Sequence, residues 1–306
     1  MEQKYAEITR VKLEEIKPLV KLFGLDYDGT VSDAEHKQPE VFGLVEKILA
    51  KDKSVAFITA RAATAIKVLY PPMQELMNKQ ETAARSFIAG GNGTTLYEVK
   101  KEKLVELYNR GLELPQVLRA VEIGREVYNK LGLKSDDLAP KGLETFRKFL
   151  QDSWEGYVPA DIIDICRPYN GELFTEQAKV TFVLPKDKAL HKKLVGDLNE
   201  KLGHDFSAAA GDETYVHITR HLEEDSKMVA IKTILERLGL ESNEVATFGD
   251  MPLGNDAGLL SFPYSFTNST EFAAAKNNLQ APPYVLSDPD LTPVGRVYKV
   301  IECLLL

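Results

Sequence analysis

Short apolar runs alternate with stretches of helical periodicity at both ends of the chain. Val20-Lys21-Leu22-Phe23-Gly24-Leu25, Ser54-Val55-Ala56-Phe57-Ile58, Ser86-Phe87-Ile88-Ala89 and Val245-Ala246-Thr247-Phe248-Gly249 lack the in–out alternation of a half-exposed strand. Such runs predict strands buried on both faces, as in a parallel sheet covered by helices. Between them, Ile8, Val11, Ile16 and Leu19 stripe a helix over 5–19, and Val41, Leu44, Val45, Ile48 and Leu49 stripe another over 39–50. A helix opening at 60–64 is expected to stop before Pro71-Pro72, because proline disfavours helical backbone at the residue preceding it. Met228, Ile231, Ile234 and Leu238 mark a later helix face. Strands at 264–266 and 284–286, a helix near 270–278 between them and a closing helix over 292–305 complete the pattern. Strand and helix in this alternation predict an α/β fold with a doubly wound, mostly parallel core.

The middle of the chain breaks that grammar. Helical patterns cover about 114–132, 141–151 and 187–202, with strand-like pieces at 162–166, 178–184, 206–210 and 214–218. Pro168, Pro185 and Gly211 punctuate the connections. The core pattern resumes afterwards, so the middle reads as an inserted α/β domain. The expected organisation is a helical prefix over 1–19, a core made of 20–108 and 218–306, and an inserted domain over 109–217.

Composition narrows the function classes. The 306 residues are 44% hydrophobic and 27% charged, values for a globular protein, and the net charge of −8 opposes a nucleic-acid-binding surface over the whole molecule. Cys166 and Cys303 have neither metal-ligand spacing nor a disulfide framework, which leads to the expectation of a reducing, cytoplasmic location. The first residues carry no apolar segment of signal-peptide type, and no uncharged run approaches a membrane span, so no membrane partner is expected.

Chemistry-bearing residues fall at the ends of the predicted strands. The first strand runs into Asp26-Tyr27-Asp28-Gly29-Thr30. Ligand sites of open α/β sheets lie outside the carboxyl ends of their strands. Two carboxylates held there repel each other, and an oxygen-only donor set suits Mg²⁺. An Asx turn at the end of a strand accounts for the same residues without a site. Thr59 follows the second strand and opens a helix, the position either of a phosphate-holding hydroxyl or of an ordinary N-cap. Gly90-Gly91-Asn92-Gly93-Thr94 follows the third strand without phosphate-loop spacing; a hairpin-like turn is the default, with Asn92 the residue that could face a ligand. Asp250 ends the fourth strand, and Asn255-Asp256 lie in its loop. The five histidines show no metal-ligand spacing.

The order Asp26-x-Asp28-Gly29-Thr30, Thr59, Lys227, Gly249-Asp250 with Asn255-Asp256 resembles the haloacid dehalogenase superfamily of phosphohydrolases. A large α/β insertion after the second motif is similar to the sugar-phosphatase and phosphomannomutase branch. The resemblance implies a Rossmann-like core with an α/β cap, and Mg²⁺-dependent hydrolysis of a small phosphate monoester, with a sugar phosphate the favoured class. It also implies the roles. Asp26 is the nucleophile and Asp28 the general acid and base. Thr59 bonds the phosphoryl oxygens and Lys227 offsets charge in the transition state, both as catalytic residues that contact the substrate, and Asp26, Asp28, Asp250 and Asp256 hold the metal. By position Ala60, Arg61 and Asn92 are further substrate-binding candidates, with Arg61 equally readable as a surface helix arginine. Three departures stand out: Ala60 where many relatives carry glycine, Lys227 without an accompanying glycine, and a six-residue step from Asp250 to Asp256. The longer loop is shared with phosphomannomutases, which makes a sugar phosphomutase the alternative reading, ahead of a non-catalytic binding module.

Overall fold

The computed structural model describes residues 10–33, 36–61, 63–112, 114–132, 179–183, 187–210, 215–269 and 284–306. The predicted helices at 141–151 and 270–278 and the strand at 162–166 lie outside these residues, as does Cys166. The chain divides into two compact units. One comprises residues 1–59, 65–107 and 224–306, and the other residues 60–64 and 108–223.

The first unit is built on a sheet with eight strands among the described residues. In chain order its elements are α1 (Arg10–Ile16), β1 (Leu22–Leu25), α2 (Gln38–Leu49), β2 (Ser54–Ile58), α3 (Ala63–Lys79), β3 (Ser86–Gly90), β4 (Thr95–Val99) and β5 (Leu104–Asn109). After the second unit the chain returns with α6 (Ser226–Leu238), β9 (Val245–Gly249), β10 (Tyr264–Thr267), β11 (Tyr284–Val285) and α7 (Pro293–Leu305). The sheet order is β11-β10-β9-β1-β2-β3-β4-β5. Pairing is parallel from β11 to β3, and β4 returns antiparallel to β3 through the Gly91–Gly93 turn. This is the mostly parallel α/β core that the apolar runs predict. Every residue of β1, β2 and β9 is buried, which is why those strands show no alternation. Phe23, Phe248 and Phe266 stack across the three neighbouring strands, with ring centroids 6.4 Å and 4.8 Å apart.

Two features depart from the sequence reading. Helix α3 runs through Pro71 and Pro72 instead of ending before them. Each proline removes one helical hydrogen bond, to the carbonyl four residues back. The carbonyl that Pro72 leaves is that of Val68, and it accepts a 3.1 Å bond from Gln38 Nε2 on the first turn of α2. A neighbouring helix thus replaces part of what the prolines take away. Strands β4 and β5, which the apolar runs do not announce, extend the sheet on its antiparallel side. Glu98 on β4 is buried and held by two arginines. Arg85 reaches its Oε1 at 2.7 Å, and Arg237, at the end of α6, reaches its Oε2 at 2.8 Å.

The second unit carries α4 (Leu114–Lys130), β6 (Val180–Val183), α5 (Lys188–Leu202), β7 (Phe206–Ala210) and β8 (Tyr215–Arg220). Its strands form an antiparallel sheet of order β6-β8-β7. Leu112, Val127, Tyr128, Leu194, Leu198 and Val216 are among the residues of its own apolar core. Asp187 caps α5, accepting from the N–H groups of Ala189 and Leu190.

Glu98 yields a test of the first unit's packing. Burial alone would raise its pKa; Arg237 and Arg85 outweigh burial and hold it below the ordinary glutamate value. A depressed acid contributes stability above its unfolded pKa and loses it as pH falls through the folded value. Glu98→Gln is therefore expected to cost roughly 2–4 kcal/mol near neutrality, and to flatten the acid side of the stability profile. Urea unfolding between acid and neutral pH measures both.

Candidate active site

The site is set by how closely α6 lies over β1. A Cβ at Gly24 would stand 2.7 Å from Ile231 Cδ1 and 3.2 Å from Thr247 Cγ2, so glycine here leaves the Ile231 side chain its present seat on β1. Ile231 and Lys227 are one turn apart on the same face of α6. Four helical residues rise about 6 Å, nearly the length of two strand residues, about 6.7 Å. With Ile231 seated on Gly24, Lys227 therefore comes level with Asp26, two residues further along the strand. The observed Lys227 Nζ to Asp26 Oδ1 distance is 2.7 Å.

The same ammonium donates to Asp256 Oδ1 at 2.6 Å. Lys227 and Asp256 are at most 1% exposed, and Asp26 is 5% exposed. Asp225 caps the helix by accepting from the N–H groups of Lys227 and Met228, which fixes the turn that presents the lysine. Asp256 turns back to accept, through Oδ2, from the N–H groups of Asp250 at 3.0 Å and Met251 at 2.9 Å. The loop from Asp250 to Asp256 is thereby closed on itself, and a Cβ at Gly249 would collide with the Asp256 carboxyl. Asp250 stands opposite Asp26. Thr30 Oγ1 lies between them, 3.3 Å from Asp26 Oδ2 and 3.4 Å from Asp250 Oδ1.

One carboxylate oxygen from each of Asp26, Asp250 and Asp256 falls within a 4.8 Å cluster. One lysine faces these acids, and their titration reflects it. Burial, then Asp256, pushes Asp250 up to about 7. Burial, then Asp256, also raises Asp26, against the pull of Lys227. Burial would lower Lys227, but Asp256 and Asp26 outweigh it and hold the ammonium above its ordinary value. A raised acid binds its proton more tightly folded than unfolded, so cation-free protein loses stability as pH rises from the ordinary carboxylate range to about 7, where the loss is complete. All-oxygen donors with excess negative charge fit a hard divalent cation. Because Asp256 has both oxygens engaged by Lys227 and the loop amides, the oxygens nearest Thr30, from Asp26 and Asp250, are the better placed pair.

The other sequence candidates distribute as follows. Asp28 is exposed, in the turn after β1, where it bridges to Ser32. Gly29 between them has φ +76°, and a Cβ there would meet Asp250 Oδ2 at 2.5 Å, so this turn requires glycine. Thr59 is buried at the end of β2, with its N–H on the Ala89 carbonyl and its own carbonyl taking the Asn92 N–H at 2.8 Å. Asn92 adopts φ +60°, and its side-chain oxygen accepts from Asn255 Nδ2 at 3.4 Å, which links the glycine turn to the loop after β9. Ala60 and Arg61 belong to the second unit, where the buried Lys179 donates to the Ala60 carbonyl at 2.6 Å. Asn268 is a residue that sequence reasoning did not single out. It is buried after β10 and donates from Nδ2 to the Gly29 carbonyl at 2.9 Å. An asparagine after a strand reads as an ordinary turn residue, and no local signal separates it from one.

Lys227→Met tests the electrostatic account. Removing one member of a buried ion cluster leaves uncompensated charge, at a cost of roughly 3–5 kcal/mol. Urea unfolding at neutral pH should show that loss, and it should shrink in acid, where Asp26 protonates and needs no cation.

Comparisons with known proteins give the family and the fold. A family model described as haloacid dehalogenase-like hydrolase matches residues 23–266. The fold is similar to a solved structure from Plasmodium vivax described as a HAD/COF-like hydrolase, with TM-score 0.62, 22% identity, and coverage of 95% of this chain and 98% of that one. A haloacid dehalogenase-like hydrolase from Bacteroides thetaiotaomicron gives TM-score 0.56 at 16% identity, covering 83% and 91%. The N-terminally truncated IMP-nucleotidase of Plasmodium falciparum gives TM-score 0.56 at 11% identity, covering 95% and 72%. No curated protein matches the chain. Among the described residues, no helix is long and apolar enough to cross a membrane.

Proposed function

The chain belongs to the haloacid dehalogenase-like hydrolases, and from that premise we propose that it is a Mg²⁺-dependent phosphatase of small phosphate monoesters, with sugar phosphates as the favoured class. The observation that carries the reading is the buried Asp26 carboxylate at the end of β1, fixed by Lys227 at 2.7 Å with Asp250 facing it across Thr30.

In this mechanism an Asp26 oxygen attacks phosphorus, and the bond from phosphorus to the ester oxygen breaks. Asp28 gives its proton to the departing alcohol. Exposed to solvent in the adjoining turn, it is the acid suited to exchange protons with water. It then takes a proton from the water that attacks the aspartyl-phosphate, releasing inorganic phosphate and restoring Asp26. Lys227 favours the ionised form of Asp26 against the effect of burial, orients it, and offsets charge as it accumulates on the phosphoryl oxygens. Thr59 and Asn92 orient those oxygens. Asp26, the Asp28 main-chain carbonyl and Asp250 would hold the cation, with Asp256 bracing Lys227 and the loop backbone. When bound, the cation supplies charge neutralisation between two anions. The second unit serves as the cap that selects the leaving group.

Phosphate release from a panel of monoesters, with and without Mg²⁺, tests the proposal. The panel includes sugar phosphates, and also IMP, since a structural neighbour is an IMP-nucleotidase. Metal-dependent release by the wild type, reduced at least about 1,000-fold in Asp26→Asn, is the expected outcome. Full activity in Asp26→Asn would sink the mechanism, and isomerised sugar phosphate without phosphate release would replace hydrolysis by phosphomutation.

A further inference from the structure

We infer that Asn268 is a positioning residue that aims the proton donor Asp28, an inference that rests on the phosphatase reading above. Asn268 is 6% exposed and lies directly after β10, two strands across the sheet from β1. The backbone beneath it is fixed. The carbonyl of Thr267 accepts from Leu286 N–H at 2.8 Å, and the Thr267 hydroxyl oxygen accepts from Ser269 N–H at 3.1 Å. From that base the Asn268 amide donates to the Gly29 carbonyl at 2.9 Å.

Gly29 joins the proposed acid to the rest of the site. Its N–H donates to the Ser32 carbonyl at 2.9 Å, closing the turn on one side. Its φ of +76° is strained for any other residue, and a Cβ there would stand 2.5 Å from Asp250 Oδ2. Its carbonyl, held by Asn268, fixes the plane of the peptide to Thr30 and with it the direction of the Thr30 N–H. The Ser32 bond ties the peptide plane that Gly29 shares with Asp28, and the Asn268 bond ties the plane on its other side, so the turn that carries Asp28 is held from both ends of Gly29. Gly29 is the most permissive of residues, so without the Asn268 tether the turn has left-handed and other conformations open to it. An acid on such a turn spends less time within reach of the leaving oxygen.

This role has a signature that loss of folding does not share. An alkoxide leaving group needs a proton, whereas p-nitrophenolate leaves without one. The ratio kcat/KM reports steps through the first irreversible one, here phosphoryl transfer to Asp26. The experiment compares Asn268→Ala and Asn268→Asp with the wild type on p-nitrophenyl phosphate and on a sugar phosphate that the wild type hydrolyses. Thermal unfolding is followed for each. Asn268→Asp keeps the side-chain shape while replacing the donor with an oxygen, so it carries the same comparison if the alanine variant fails to fold. The expected result is a loss of about 10- to 100-fold in kcat/KM on the sugar phosphate, against less than about 3-fold on p-nitrophenyl phosphate. The Asp28→Asn,Asn268→Ala double variant should lose no more than Asp28→Asn alone. Equal losses on both esters, or no loss on the sugar phosphate, would overturn the assignment while leaving the phosphatase reading intact. A wild type that releases phosphate from neither ester would remove both.

Discussion

The Lys227 ammonium, shared between the Asp26 and Asp256 carboxylates, is the interaction on which the candidate site depends. Three carboxylates crowd together at the carboxyl ends of β1 and β9, and burying them without a cation would be prohibitive. Lys227 compensates two of them and leaves Asp250 raised and facing Asp26 across Thr30. This charge arrangement makes the fold and the chemistry one problem. Gly24 admits α6 close to β1, Asp225 caps the helix, and Ile231 sets the register that brings the lysine level with Asp26. Each is a packing feature, and each acts on where the nucleophile's charge is held.

Much of the core was legible because parallel strands covered on both faces have an unmistakable pattern. Runs such as Val55-Ala56-Phe57-Ile58 can bury every side chain only in the interior of such a sheet. The carboxylates were legible for a related reason, since strand ends in this architecture are where ligands bind. Lys227 was not legible locally. A lysine on the first turn of an amphipathic helix is usually solvated, and only its order among the other motifs singles it out. Asp256 was legible as a participant but not as a brace. Its two bonds to the amides of Asp250 and Met251 depend on how a six-residue loop folds back, which spacing does not encode.

The misreadings have local physical causes. Pro71 and Pro72 signal a helix end, but α3 continues through them because Gln38, distant in sequence, bonds the carbonyl that Pro72 leaves without a helical donor. A tertiary contact overrides a backbone preference there. Strands β4 and β5 mix Thr, Glu and Tyr with apolar residues, so they lack the solid apolar runs of the central strands. Glu98 in particular looks like a surface residue until Arg85 and Arg237 close on it. Asn268 is the clearest case of a residue whose value lies entirely in a partner 239 positions away.

The central claim is that Asp26 is the atom donor to phosphorus, and the most direct measurement is chemical trapping. The protein would be mixed with a 32P-labelled monoester it hydrolyses, quenched in acid within the turnover time, digested and mapped. The account predicts acid-stable, hydroxylamine-labile label on the peptide containing Asp26. Rapid turnover with no label on any peptide, or label on a different residue, would contradict it.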